Sequence, residues 1–127
     1  MTVIISRTIK AKELQKGLLG DMEREVVIES FKKGIYTVIK GIDLPKNTNT
    51  YKIYATTIQG ARRILYLVNT KTGDAALLFY RSKNDRIGNN MSVKNPEFCQ
   101  ALIKHIRIFY KDFEAGNVER YDENWRK

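Results

Sequence analysis

Hydrophobic and polar positions along the chain fall into two distinct periods. Residues Ile64–Val68 and Ala75–Tyr80 are short apolar runs on either side of Asn69-Thr70-Lys71-Thr72-Gly73-Asp74. Runs this short, rich in branched, aliphatic and aromatic residues and separated by a turn, predict a β-hairpin. Gly73 gives its loop the backbone freedom it needs. Neither run alternates, so both strands are expected to be covered on both faces, inside a sheet. Just upstream, Tyr51–Ile58 does alternate, with Tyr51, Ile53 and Ala55 on one side and Lys52, Tyr54 and Thr56 on the other. Three consecutive antiparallel strands are therefore expected over about residues 51–80.

Elsewhere the period is helical. Leu14, Leu18, Met22 and Val26 recur every four residues, with Ile9 and Phe31 close to the same stripe. One or two helices are expected over about residues 10–33, packing on the core. Gly17 and Gly20 favour a break, Asp21 is a candidate cap for a second helix, and Gly34 is placed to end it. Asn95-Pro96-Glu97 reads as a helix start, and Phe98, Leu102, His105/Ile106 and Phe109 continue it towards Gly116. Val3-Ile4-Ile5 is a candidate first strand. Tyr36–Ile39 has strand propensity, but Gly41, Pro45 and the polar tract 46–50 read as loop. The expected fold is α+β, a single domain over residues 1–116, with N-terminal helices and a C-terminal helix packed on a mainly antiparallel sheet of about four strands. Residues 117–127 are expected to be a polar tail, either disordered or docked through Tyr121 and Trp125.

Composition sharpens this picture mainly through charge. The net charge is +9 over 127 residues. Residues 40–94 hold 10 Lys/Arg against 3 Asp/Glu, a balance of +7, so nearly all the excess sits in the expected sheet. Such a field concentrates polyanions and makes their binding salt-dependent. The start of the chain has neither a secretory leader's apolar core nor its cleavage site, and Cys99 has no second cysteine to pair with. A cytoplasmic protein is expected, with no membrane partner.

Arg62 and Arg63 open one hairpin strand, while Arg81, Lys83 and Arg86 follow the other. Antiparallel pairing brings these five cations to one rim of the sheet. The alternative is a set of solvated strand ends. His105 and Cys99 are each the sole residue of their type, which excludes a Cys/His zinc site. His105 lies mid-helix beside the apolar stripe and reads as a packed or surface side chain. Asp43, Asp74 and Asp85 are scattered, which argues against a two-metal nuclease. No Gly-rich phosphate loop is present, and no cofactor is expected. Metal-free RNA cleavage needs a base for the 2′-hydroxyl, cations for the charged phosphate and an acid for the leaving oxygen. Arginine suits the second task, and lysine serves the others only when neighbouring cations lower its pKa.

The segments Tyr51–Tyr54, Ala61–Val68 and Ala76–Asp85, with the order strand, helices, three strands, helix, resemble the RelE/ParE superfamily of toxin–antitoxin toxins. The resemblance covers about residues 20–87. It implies a toxin that cleaves mRNA, on the ribosome or free, and an antitoxin that covers the active surface. Carried onto this chain, Lys52 is the first-strand basic residue, Arg62 or Arg63 the second-strand arginine and Arg81 the phosphate-stabilising arginine, with Lys83 a further candidate. Lys40, Lys46, Tyr54, Tyr80, Arg86 and Lys94 are expected to add nucleic-acid contacts. The family's tyrosine after the third strand is missing, since residues 82–91 contain none. Tyr80, Tyr54 or Lys83 substitutes for it, or the chain acts otherwise. The alternatives are a toxin of the same fold that inhibits a protein target such as DNA gyrase, and a basic module that only binds nucleic acid.

Overall fold

A computed structural model describes residues 2–14, 21–57 and 60–126. Its order is β1 (Val3–Ser6), α1 (Arg7–Glu13), α2 (Asp21–Lys33), β2 (Thr37–Val38), β3 (Thr48–Thr57), β4 (Gly60–Asn69), β5 (Ala75–Ser82), α3 (Pro96–Glu114) and β6 (Val118–Tyr121). The α+β class is as expected. Among the described residues the sheet has six strands rather than about four, in the order β2-β3-β4-β5-β1-β6, and is mixed because β1 runs parallel to β5. The two additional strands are short edges: β2 falls within Tyr36–Ile39, where strand propensity competes with loop signals, and β6 within the expected tail. β3 also starts at Thr48, inside the polar tract expected to be loop, because Thr48–Thr50 pair with Leu67–Asn69. β2 pairs through Thr37 and Val38, while β6 pairs along all of β1, from Val3↔Tyr121 to Ser6↔Val118.

The central hairpin forms as its sequence predicts. Ile64–Val68 and Ala75–Phe79 are fully buried, and Gly73 takes a positive φ of 77° in the turn. A bulge at Leu78 interrupts the β4–β5 register, which runs Leu65↔Phe79 and then Tyr66↔Leu77. The sheet is covered on both faces. On one, α2 packs Val27 against Ile53, Ile64, Tyr66 and Leu77, with Phe31 edge-on to Tyr66. On the other, α1 and α3 bring Ile9, Phe98, Leu102 and Phe109 against Leu65, Leu78 and Phe79.

The helix boundaries follow local chemistry. Ser6 caps α1 by accepting from the Ile9 N–H, and its hydroxyl donates to Asp112 of α3 at 2.5 Å. Asn95 caps α3 by accepting from the Glu97 N–H, with Pro96 in its first turn. The break between two N-terminal helices is expected near Gly20-Asp21, and α2 starts at Asp21; Gly17, Leu18 and Gly20 lie outside the described residues. The stretch beyond Gly116 is not a free tail. β6 completes the sheet, and Trp125 is buried against Tyr121 and Tyr66.

Candidate RNA-binding site

Strand alternation divides the basic rim between two faces. Cross-strand partners share a face, and the register pairs Lys52↔Leu65, Tyr54↔Arg63 and Arg63↔Arg81. Lys52, Tyr54, Arg63 and Arg81 thus project on the α1/α3 side, beyond the part of the sheet that α3 covers. Tyr54 is 51% exposed. The Arg63 guanidinium carbon lies 4.2 Å from its ring centre and the Lys52 Nζ 5.3 Å. Two cations held on one exposed aromatic make a surface suited to a nucleotide, with charge for the phosphate and a ring for the base.

The remaining cations do not join this cluster. Arg62 pairs across from Ser82 on the α2 face, with its guanidinium carbon 5.9 Å from the Tyr80 ring centre. Arg62 and Tyr80 are therefore a separate pair, and Arg63 is the second-strand arginine that meets Lys52. Arg86 is largely exposed, its Nη1 3.8 Å from Glu97, while Lys83 and Lys94 are exposed in the loop between β5 and α3. Lys46 precedes Asn47, whose carbonyl accepts from Thr70 in the hairpin turn, so it sits at the opposite end of the sheet. Lys40 follows the Ile39–Thr50 backbone bond and also lies towards that end. The strand-end arginines Arg62, Arg63 and Arg81 therefore share one end of the sheet but are divided between its two faces, while Lys40 and Lys46 lie towards the other end.

Arg81 is held by a residue that sequence reasoning missed. β1 pairs with β5 only at Val3↔Ala75 and Ile4↔Ala76, so among the described residues Tyr80 and Arg81 lie beyond the strand pairing on that edge. Glu13 at the end of α1 fills the gap with its side chain. Its Oε1 accepts from the Tyr80 N–H at 2.9 Å and from Arg81 Nε at 2.8 Å, and its Oε2 accepts from Arg81 Nη2 at 2.7 Å. The carboxylate side chain has no solvent exposure. Burial pushes its pKa up, but the bonds from His105, Arg81 and the Tyr80 N–H outweigh that and hold it below the ordinary value. The Glu13 hydrogen bond in turn raises the Arg81 pKa against the effect of its own partial burial.

His105 completes the network from beneath. Its ring stacks on Phe79 with centres 4.3 Å apart, and Nε2 lies 3.1 Å from Glu13 Oε2. An ionised carboxylate only accepts, so the shared proton belongs to Nε2. His105 Nδ1 is buried with no hydrogen-bond partner among the described residues. On the outer side, Arg81 Nη1 lies 3.4 Å from Asp85 Oδ2, which also accepts from the Ile87 and Gly88 N–H groups. The signal for Glu13 was present in the sequence. It stands four residues after Ile9, in phase with the buried side of α1, where an unpaired acid is costly.

Among the described residues, no group of three or more His, Cys, Asp or Glu side chains could hold a metal ion, and no helix is long and apolar enough to cross a membrane. No protein-family model, curated protein or solved structure matches the chain.

Proposed function

We propose that the protein is the toxin of a toxin–antitoxin pair, with a RelE/ParE-type fold, a cytoplasmic location and messenger RNA on the ribosome as its substrate. The observation that carries this reading is the Lys52–Tyr54–Arg63 triplet, two half-buried cations held on one exposed ring, beside Arg81 on one face of a strongly basic sheet. The order strand, helices, three strands and helix also fits, with β2 and β6 as edge additions. Arg63 holds the scissile phosphate and stabilises the charge that develops on it. Tyr54 stacks a base, and Lys52 moves the proton. Arg81, clamped by Glu13, adds a fixed positive charge one strand away.

Induced expression in a bacterium, with growth and message 5′ ends followed together, tests this for wild type, Arg63→Ala and Lys52→Ala. Wild type should arrest growth and create new message ends, and each variant should lose about 100-fold in cleavage rate. A folded Arg63→Ala protein that still cuts messages would overturn the assignment. Single-strand binding in vitro should weaken with a log–log salt slope of about −2 if three cations meet phosphates.

Inhibition of a protein target such as DNA gyrase is the second reading. It is favoured by the commitment of Arg81 to Glu13 and by the missing tyrosine in residues 82–91. Growth arrest with intact messages and damaged DNA would select it.

A further inference from the structure

Helix α3 carries two apolar seams. One, formed by Phe98, Leu102, His105 and Phe109, is buried on the sheet. The other comprises Cys99, Ile103, Ile106, Tyr110 and Phe113, spaced four, three, four and three residues apart, of which Cys99 and Ile106 are partly buried against the sheet core. Ile103 is 48% exposed, Tyr110 37% and Phe113 40%, although each is large enough to be costly in water. The spacing is that of the apolar seam by which one helix packs along another. At its C-terminal end, Tyr110 and Phe113 border a cavity of about 190 Å³ with an apolar wall of Ile4, Leu67, Ala76 and Phe109 and a polar edge of Thr48, Asn69 and Asp74. A pocket of this size beside an apolar stripe suits a single anchoring side chain.

Charge identifies the occupant further. Lys104, Arg107 and Lys111 are exposed along the solvent side of the seam, with Glu114 the acid at its end. The Arg120 guanidinium carbon lies 5.4 Å from the Phe113 ring centre. We propose that this flank of α3 is a docking surface for an acidic amphipathic helix of a partner protein, which lays its apolar side along Ile103, Ile106, Tyr110 and Phe113 and inserts one anchor into the cavity. A repeat every seven residues fits a helix better than a nucleic acid strand. The proposal is independent of RNA cleavage, because Lys52, Tyr54 and Arg63 take no part in it.

The test uses the full chain and two designed helical peptides of about three heptads, both with leucine at the seam positions. One has glutamates on its flanks and the other lysines. Fluorescence anisotropy should show the acidic peptide binding at least about tenfold more tightly than the basic one, with added salt narrowing the gap. Ile103→Glu and Tyr110→Glu, at exposed positions and checked for folding by circular dichroism, should each weaken the acidic peptide about tenfold or more. Equal affinity for the two peptides, or binding indifferent to both variants, would overturn the proposal. So would sedimentation showing a homodimer that Tyr110→Glu dissociates, since the seam would then belong to a second copy. Loss of RNA binding in both variants, with peptide binding unaffected, would assign it to RNA.

Discussion

Replacing Arg81 with alanine removes three donor groups from around Glu13 and Asp85 and leaves a fully buried carboxylate short of its partner. Breaking a buried pair from one side costs about 3–5 kcal/mol, so the Arg81→Ala variant should lose that much stability in urea titration. Its loss of any activity would then report folding rather than phosphate contact. Glu13→Ala strands Arg81 instead and should cost somewhat less, because the guanidinium is partly exposed. The double variant Glu13→Leu/Arg81→Met should recover much of either loss, and a double-mutant cycle measures the coupling. Arg63 and Lys52 carry no such burden. Their ammonium and guanidinium groups lie over Tyr54, and alanine there should change stability by less than about 1 kcal/mol. Function is therefore best probed at those two positions.

Between elements, two polar clamps hold the helices to the sheet. Asp112 of α3 accepts from the Ser6 hydroxyl and the Thr8 N–H at the start of α1. Burial pushes its pKa up, but these hydrogen bonds, with Asn117, prevail and hold it down at about 2. A depressed carboxylate pKa gives stability that is present above the ordinary value of 3.8 and is lost as pH falls towards about 2. Asp112→Asn should therefore lower stability at pH 7 by about 2 kcal/mol and flatten the acid limb of the stability curve. The loop after β5 is fixed by contact as well as by Asp85. A Cβ on Gly88 would lie 2.1 Å from the Ser82 carbonyl oxygen. Gly88→Ala should displace that loop at a cost of about 1–3 kcal/mol, with amide shifts at Asp85 and Arg81 visible by NMR.

These elements also show how far the sequence could be read. The 64–80 hairpin was legible from two unbroken apolar runs around a clear turn, and α3 from its long helical period and its Asn95-Pro96 start. β2 was hidden by its brevity, since two residues carry no period. β6 was hidden because Val118-Glu119-Arg120-Tyr121 is half polar, as suits an edge strand buried through Val118 and Tyr121 alone. The rim cations were visible at the site, but their division between faces depended on register. The Glu13 clamp bridges 68 residues to Arg81, and no local pattern encodes a pairing of that range.

For the whole molecule, the placement of β1 has a consequence for assembly. This strand is buried along its full length between β5 and β6, at the centre of the far half of the sheet. Its neighbours are synthesised long after it, so Val3–Ser6 must wait beside α1 while the β3–β4–β5 meander forms from contacts closer in sequence. Non-local pairings of this kind close late and slowly. Pulse-labelled hydrogen exchange during refolding should show β4 and β5 amides protected first and those of Ile4 and Ile5 only in the final phase. Until then the β-branched apolar run Val3-Ile4-Ile5 lies open, which makes the nascent chain a natural client for a chaperone. Within this sheet, the strand synthesised first is the last to be seated.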